Sequence, residues 1–438
     1  MNPIIPTVFS ADPAAHVWPG DDRLWIYASH DEPGTNTHDT MVSYHVFSSS
    51  NLTDWTDHGC VLHLKDVEWA VSHMWAIDAA LWKGTYYLVY CAIEKATGLF
   101  RTGLATSPRP QGPFKDIGFV EGVEQGQDPA LFIDDDDTPY LYWGYGSQCF
   151  ACQLSDDLRS ALPGTTIELT DQLTWVYEGP WVHKYNDKYY LSYPGLRDGT
   201  WPEEMFYAIA DQPLGPFKFM GEYIPKFDGQ AGTNHGSITE YKGKWYAFHH
   251  SAWISGMSEV RSLMCDELHY NDDGSIQPIV PSQTGVAAGG SVTIELDAAS
   301  VEMACGELRG TRVETQRPGT TGAGSVTGFD QPQFGLTFFV QSAAPMQCNL
   351  KIRYIAPERD RRNKILVNGF GVDDPRTPDP NGYDKAQLFM RTDEWREHDA
   401  GTVQLKEGDN FIRIYAGEGG IEIDRIRLVP ETGHLTNP

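Results

Sequence analysis

Five times before residue 280 the chain repeats one unit: a Gly or Asp turn, an aromatic run, an irregular stretch, a second run and a polar tail. The aromatic copies are LWIYASHD (24–31), GTYYLVYCA (84–92), TPYLYWGYG (138–146), DKYYLSYPG (187–195) and GKWYAFHHS (243–251). Their second halves share a Ser, Pro and Gly cluster, as in FSSSNLTDWTDHG (47–59), LATSPRPQGPFKD (104–116) and AIADQPLGPFKFMG (208–221). Short apolar or alternating runs between such turns read as antiparallel strands. Sheets repeated at roughly forty to sixty residues are best accommodated radially around a channel. The expected fold is all-β, a five-bladed β-propeller over residues 1–282.

From PSQTGVAAGGSVT (281–293) the chain turns small and polar, as a linker does. Beyond it VTGFDQPQFGLTFFVQS, MQCNLKIRYIAP, NKILVNGF, GTVQLKEGDNFIRIYAG and GIEIDRIRLVP alternate in strand fashion. A β-sandwich of jelly-roll type is expected over residues 283–438.

Composition narrows the ligand. A formal net charge of -27 repels phosphate backbones and anionic membranes, so neither nucleic acid nor a membrane is an expected partner. With 13 Trp, 21 Tyr and 19 Phe, the chain has rings to stack on a neutral sugar. The seven cysteines show no framework spacing, and Cys149-x-x-Cys152 lacks the second pair that zinc would need. Free, buried thiols in a reducing compartment are expected. The first residues, MNPIIPTVFSADPAAHVW, carry neither a basic start nor a long apolar run; this fits a cytoplasmic protein, or a secreted one whose leader has been removed.

Three acids stand at corresponding places ahead of aromatic strands: Asp12 in SADPAAHVW, Asp128 in GQDPALFID and Glu178 in WVYEGPWVHKY. Inner strands of a propeller converge, so these acids can meet in one pocket. Asp12 and Asp128 share Asp-Pro-Ala followed by an apolar run, which suggests one backbone solution used twice. Glu178, among Trp175, Tyr177, Pro180 and Trp181, should have its pKa raised by desolvation, as a general acid requires. Convergent carboxylates in an aromatic pocket, without a P-loop, GxSxG, HExxH or dinucleotide motif, are the requirements of glycoside hydrolysis. The acidic run Asp134–Asp137 before Thr138-Pro139 reads as a solvated hairpin turn rather than a calcium loop.

ADPAAHVW, GQDPALFID, WVYEGPWVHKYNDKYYLSY and RSLMCDELHYNDDGSI together resemble glycoside hydrolase family 43, five-bladed propellers that act on arabinose- and xylose-containing glycans. The resemblance implies single-displacement inversion with Asp12 as general base, Glu178 as general acid, and Asp128 orienting Glu178 and raising its pKa by like charge. Inversion needs room for water, with carboxyl groups about 6.5–9.5 Å apart. It also implies that His235 faces a water-coordinated calcium in the channel and that Arg261 reaches the pocket. Asp31 and Trp75 are candidates for the sugar-binding wall, although Met-Trp-Ala-Ile stands where the family usually has Ala-Trp-Ala-Pro.

The C-terminal segment resembles carbohydrate-binding module family 6 through IELDAA, VTGFDQPQFGLTFFV, KILVNG, VQLKEGDNFIRIY and GGIEIDRIRLVP. That implies a structural calcium held by Glu295, Asp297 and Asp424, with Trp395 at a sugar-binding loop. No cofactor is expected for the chemistry itself. The reading is an exo-acting, inverting α-L-arabinofuranosidase on arabinoxylan or arabinan-type glycans. A β-xylosidase of the same mechanism is the first alternative, and a non-catalytic glycan-binding propeller the second.

Overall fold

The computed structural model describes residues 2–286, 290–372, 386–417 and 420–431. It divides into two compact units: Met1–Thr53 with Leu62–Gly290, and Asp54–Val61 with Ser291–Pro438. This differs from the expected division at 282/283. The physical reason is pairing: Trp55, Thr56 and Asp57 run parallel to Val292, Thr293 and Ile294, so an early segment completes the later sheet. Of the expected linker, residues 287–289 lie outside the described residues.

The first unit is a five-bladed propeller. Its innermost strands are Ser10–Val17, Ile77–Trp82, Ala130–Ile133, Trp181–Tyr185 and Ser237–Tyr241, each in contact with the next and the last with the first. Each pairs antiparallel with its aromatic strand: Leu24–His30, Thr85–Glu94, Pro139–Tyr145, Lys188–Gly195 and Lys244–Ser251. Three of these hairpins turn on two residues of positive φ, Lys83-Gly84, Asn186-Asp187 and Lys242-Gly243, which matches the twist of adjoining strands. Asp134–Asp137 forms a hairpin turn too, with Asp134 and Asp135 paired to Lys184.

Polar contacts between blades close the ring. Ser237 Oγ accepts from Ala15 N at 3.0 Å and Thr239 Oγ1 donates to Ala15 O at 2.5 Å, joining the first and fifth blades. Asp78 accepts from Leu131 N at 2.7 Å and lies 2.7 Å from His16 Nε2, joining blades one to three. The N-terminal segment is drawn in as well, with Ile4 N donating to Leu263 O. All seven cysteines are free, five of them buried.

The second unit is a β-sandwich. One sheet centres on Glu422–Pro430, flanked by Met346–Ala356 on one side and by Val292–Asp297 and Ser325–Thr327 on the other. The other sheet holds Gly335–Ser342, Gly408–Tyr415 and Arg361–Val367. Ile426, Leu428, Leu350, Ile352, Phe338, Ile412, Ile414 and Ile365 meet between the sheets, each at most 1% exposed, while Arg425 and Arg427 take the alternate positions, as period-two strands require.

Candidate active site

One cavity of about 370 Å³ receives a residue from the start of every innermost strand: Asp12, Ala76, Asp128, Glu178 and His235. The three acids predicted to converge therefore do so. Asp12 (φ 54°) and Asp128 (φ 48°) both take the left-handed conformation, uncommon outside glycine and tolerated by Asp. At Asp12 the effect is a bulge: pairing jumps from Ala11–Ser29 to Ala14–Tyr27, so Asp12-Pro13 leaves the ladder and the carboxylate is aimed into the channel. The repeated Asp-Pro-Ala is thus a repeated backbone device.

Glu178 arrives on a clamped loop. Ser147 N donates to Tyr177 O at 2.9 Å and Tyr177 N donates to Pro194 O at 3.1 Å. Gly144 permits the approach, since a Cβ there would sit 3.0 Å from the Glu178 carbonyl carbon. Gln127 Nε2 donates to Glu178 Oε2 at 2.9 Å and reaches Asp128 Oδ2 at 3.3 Å, tying two of the acids together.

The acids occupy different electrostatic states. Burial works against charge on Asp12, but Arg261, His250 and His235, with the Ser29 hydroxyl, outweigh it and hold its carboxyl below the usual range. Ser29 Oγ donates to Asp12 Oδ2 at 2.6 Å and Arg261 Nη1 to Oδ1 at 3.2 Å. Glu178 is pushed up to about 7, first by burial and then by the Asp12 charge. Asp128 is raised by burial, then by Glu178 and Asp12.

Two details differ from expectation. The like charge acting on Glu178 comes from Asp12, whereas Asp128 is itself kept protonated and so supplies little field. The aromatic neighbours in sequence also do other work: Trp175 packs on Phe206 and Phe219, and Trp181 Nε1 donates to Ile238 O.

Arg261 and His235 line the cavity as expected, and so does Trp75, whose indole donates to His38 O at 3.0 Å. Asp31 does not belong to the wall. Its carboxylate takes two guanidinium bonds, from Arg261 Nε and Nη2, both at 2.9 Å, and it orients that arginine from behind.

Several residues went unread in the sequence. His250 accepts from Asp12 N through Nδ1 at 3.2 Å, and its Nε2 therefore donates to Thr233 O at 3.0 Å; burial holds it neutral, with a pKa of about 3. Phe100, Tyr145, Tyr177 and Trp201 complete the rim with Trp75, and Trp201 is 51% exposed. Glu203, fully buried, lies behind Glu178. Period two could have pointed to it: in Glu203-Glu204 before a buried strand the two side chains must part, and Glu204 turns to Arg197.

In the second unit Glu295, Asp297 and Asp424 do not form one oxygen cage. Glu295 pairs with Arg425 and Arg427, and Asp424 with Arg353 and Arg425. Asp297 accepts from Ala299 N, Ala323 N and Ser300 Oγ. Their lone pairs face N–H and O–H donors, so these residues do not fit a calcium site. Among the described residues no cluster of three His, Cys, Asp or Glu, with His235 or elsewhere, is arranged to hold a metal. Trp395 is no open platform, with Arg353 over its ring and its Nε1 donating to Pro318 O.

Comparison with known proteins places this geometry. The model of glycosyl hydrolases family 43 matches residues 1–276. Carbohydrate binding module family 35, not family 6, matches residues 299–431. A xylosidase/arabinosidase of Humicola insolens is 35% identical, the match covering 63% of this chain and 98% of that protein. A β-xylosidase/α-arabinofuranosidase from a compost metagenome, solved with xylotriose, is 33% identical with a TM-score of 0.57, over 64% of this chain and 97% of that one. An arabinoxylan arabinofuranohydrolase of Bacillus subtilis, 23% identical, shares the fold over 98% of this chain and 97% of its own, with a TM-score of 0.58.

Proposed function

This chain belongs to glycosyl hydrolase family 43, and on that premise we propose that its cavity removes terminal α-L-arabinofuranosyl residues from arabinoxylan or arabinan-type glycans by single displacement. One observation carries the assignment of roles: within a single cavity Asp12 is held ionised while Glu178 is held near pH 7. Opposed pKa shifts are how two carboxyl groups divide base from acid. Asp12 takes a proton from water as that water attacks the anomeric carbon. Glu178 gives its proton to the glycosidic oxygen, which leaves with the bonding electrons. Asp128, protonated and bridged to Glu178 through Gln127, holds the acid in place. The rim of Trp75, Phe100 and Tyr145, facing Tyr177 and Trp201, offers rings for the sugar and its aglycone.

β-Xylosidase activity is the second reading, favoured by the names of relatives: the Humicola protein and the compost enzyme both carry the two activities in their descriptions. Nitrophenyl α-L-arabinofuranoside and β-D-xylopyranoside, assayed side by side, decide the preference. Activity on neither returns the propeller to a glycan-binding role. NMR of the first-formed sugar should show the anomeric configuration opposite to the substrate's, and retention would exclude single displacement.

A further inference from the structure

Behind the acid lies a fourth carboxyl group that none of the roles above uses. Glu203 is 0% exposed. Its Oε2 accepts from Asn234 N at 2.6 Å, while no donor reaches its buried Oε1. Its backbone is pinned on both sides, Glu203 N donating to Gly232 O and Gln230 Nε2 donating to Glu203 O at 2.8 Å. The side chain therefore has little freedom to turn away. Its carboxyl group is in hydrogen-bond contact with that of Glu178, and two carboxyl groups make that bond only when one of them carries a proton.

We propose that Glu203 is a positioning residue that keeps a proton of its own and donates it in a hydrogen bond to Glu178, stabilising the carboxylate that Glu178 becomes. The proposal rests on the reading of Glu178 as the acid. In the reaction Glu178 passes its proton to the glycosidic oxygen as the C–O bond breaks and the bonding pair moves to that oxygen. The Glu203 O–H stays intact and points at the new negative charge. Glu178 then regains a proton from water entering the cavity.

The charges around Glu203 favour this state. Burial, the largest influence, and then the Glu178 carboxylate keep Glu203 well above the ordinary range, with Arg261 on the fifth blade working weakly the other way. Glutamine at this place can reproduce the contact set: its amide N–H can donate to Glu178 while its oxygen accepts from Asn234 N. Leucine can do neither.

The test compares E203L and E203Q on an unactivated oligosaccharide and on a dinitrophenyl glycoside, across pH. Loss of a hydrogen bond to a charged group should lower kcat of E203L on the oligosaccharide roughly 10- to 100-fold, with KM moved less than about twofold. The dinitrophenyl substrate should barely register the change. The alkaline limb of the E203L profile should move upward, because Glu178 without its donor releases its proton less readily. E203Q should restore most of the rate, to within about threefold, and return the limb to its wild-type place.

An unmoved limb in E203L, or a limb moving down in both variants, overturns the proposal; the second outcome means that Glu203 is ionised and acts as a like charge. If E203L does not fold, infrared difference spectra decide. Wild type at neutral pH should show a protonated carboxylic acid band that E203Q lacks, and identical spectra overturn the proposal. Glu178→Ala separates the two levels: equal losses on both leaving groups remove the acid reading itself, whereas selective loss there with no shift in E203L removes only the role of Glu203.

Discussion

The propeller cavity and the edge of the sandwich both gather acids around arginine, in opposite proportion. Asp12, Asp128 and Glu178 on the cavity wall, with Asp31 and Glu203 behind it, share one guanidinium, Arg261, and Asp31 takes most of it. In the sandwich Glu295, Glu422 and Asp424 are met by Arg317, Arg353, Arg425 and Arg427. Acids met by enough cation form ion pairs that hold strands together. Acids without it are driven toward protonation, which costs stability and supplies a proton that can be given away. Buried acids alone therefore do not mark a site; their local charge balance does.

The largest expected effect tests the acid of the cavity wall that Arg261 contacts directly. Asp12→Asn should lower hydrolysis about 10³-fold or more on natural and activated substrates alike, because a carboxamide cannot accept the proton of the attacking water. Activity above a tenth of wild type, in a variant with an unchanged melting curve, would remove Asp12 from the base role.

Next comes the unpaired acid. Glu178→Ala should cost roughly 10²- to 10⁴-fold on an oligosaccharide and far less on a dinitrophenyl glycoside, which needs no proton on leaving. In the wild type kcat/KM should fall as pH rises through about 7, where Glu178 loses its proton; Asp12, held ionised below the usual carboxylate range, places the acid limb low. Asp128→Asn should leave the alkaline limb near its wild-type position, since replacing a neutral carboxyl removes no charge. A clear downward move of that limb would mean that Asp128 is ionised.

On the other side of the comparison, Arg353→Met should leave Asp424, which is 0% exposed while Arg353 is 25% exposed, with Arg425 as its one remaining arginine. With the lost arginine partly solvated and Arg425 and Thr321 still in place, the cost should be about 2 kcal/mol. The melting transition of that unit should fall by roughly 4–8 °C with cavity kinetics unchanged. A loss of kcat on small substrates would break the division between the two regions. The smallest effect is expected from chelation. With guanidinium and amide donors already on these carboxylates, chelator should leave melting within about a degree; a fall of several degrees, with calcium found by elemental analysis, would show that a cation displaces the arginines.

Much of the molecule was legible in its sequence for local reasons. Turn residues such as Lys83-Gly84 and Lys242-Gly243, set before alternating aromatic runs, fix hairpins whatever surrounds them. Five such hairpins fix a propeller. The repeated Asp-Pro-Ala marked a repeated left-handed turn of the backbone, since that φ belongs to those residues and their immediate neighbours. Asp12, Asp128 and Glu178 could therefore be placed at corresponding positions before any coordinates were known.

What tertiary structure alone decided was which charge faces which. Asp31 stood near a pocket in sequence and was turned by Arg261, 230 residues away, into a support. The acids expected to hold calcium met arginines brought from other strands, and Trp395 met Arg353. His250 leaves no mark at short range, because Asp12 comes from the first blade, and Glu203 shows only as half of an adjacent acid pair, its Asn234 contact coming from the fifth blade. Strand and turn propensities act over a few residues, whereas ionisation state depends on every charge within several ångströms and on the depth of burial. The chain by itself therefore determined the fold and the position of its three acids, and only the closing of the ring determined which of them holds a proton.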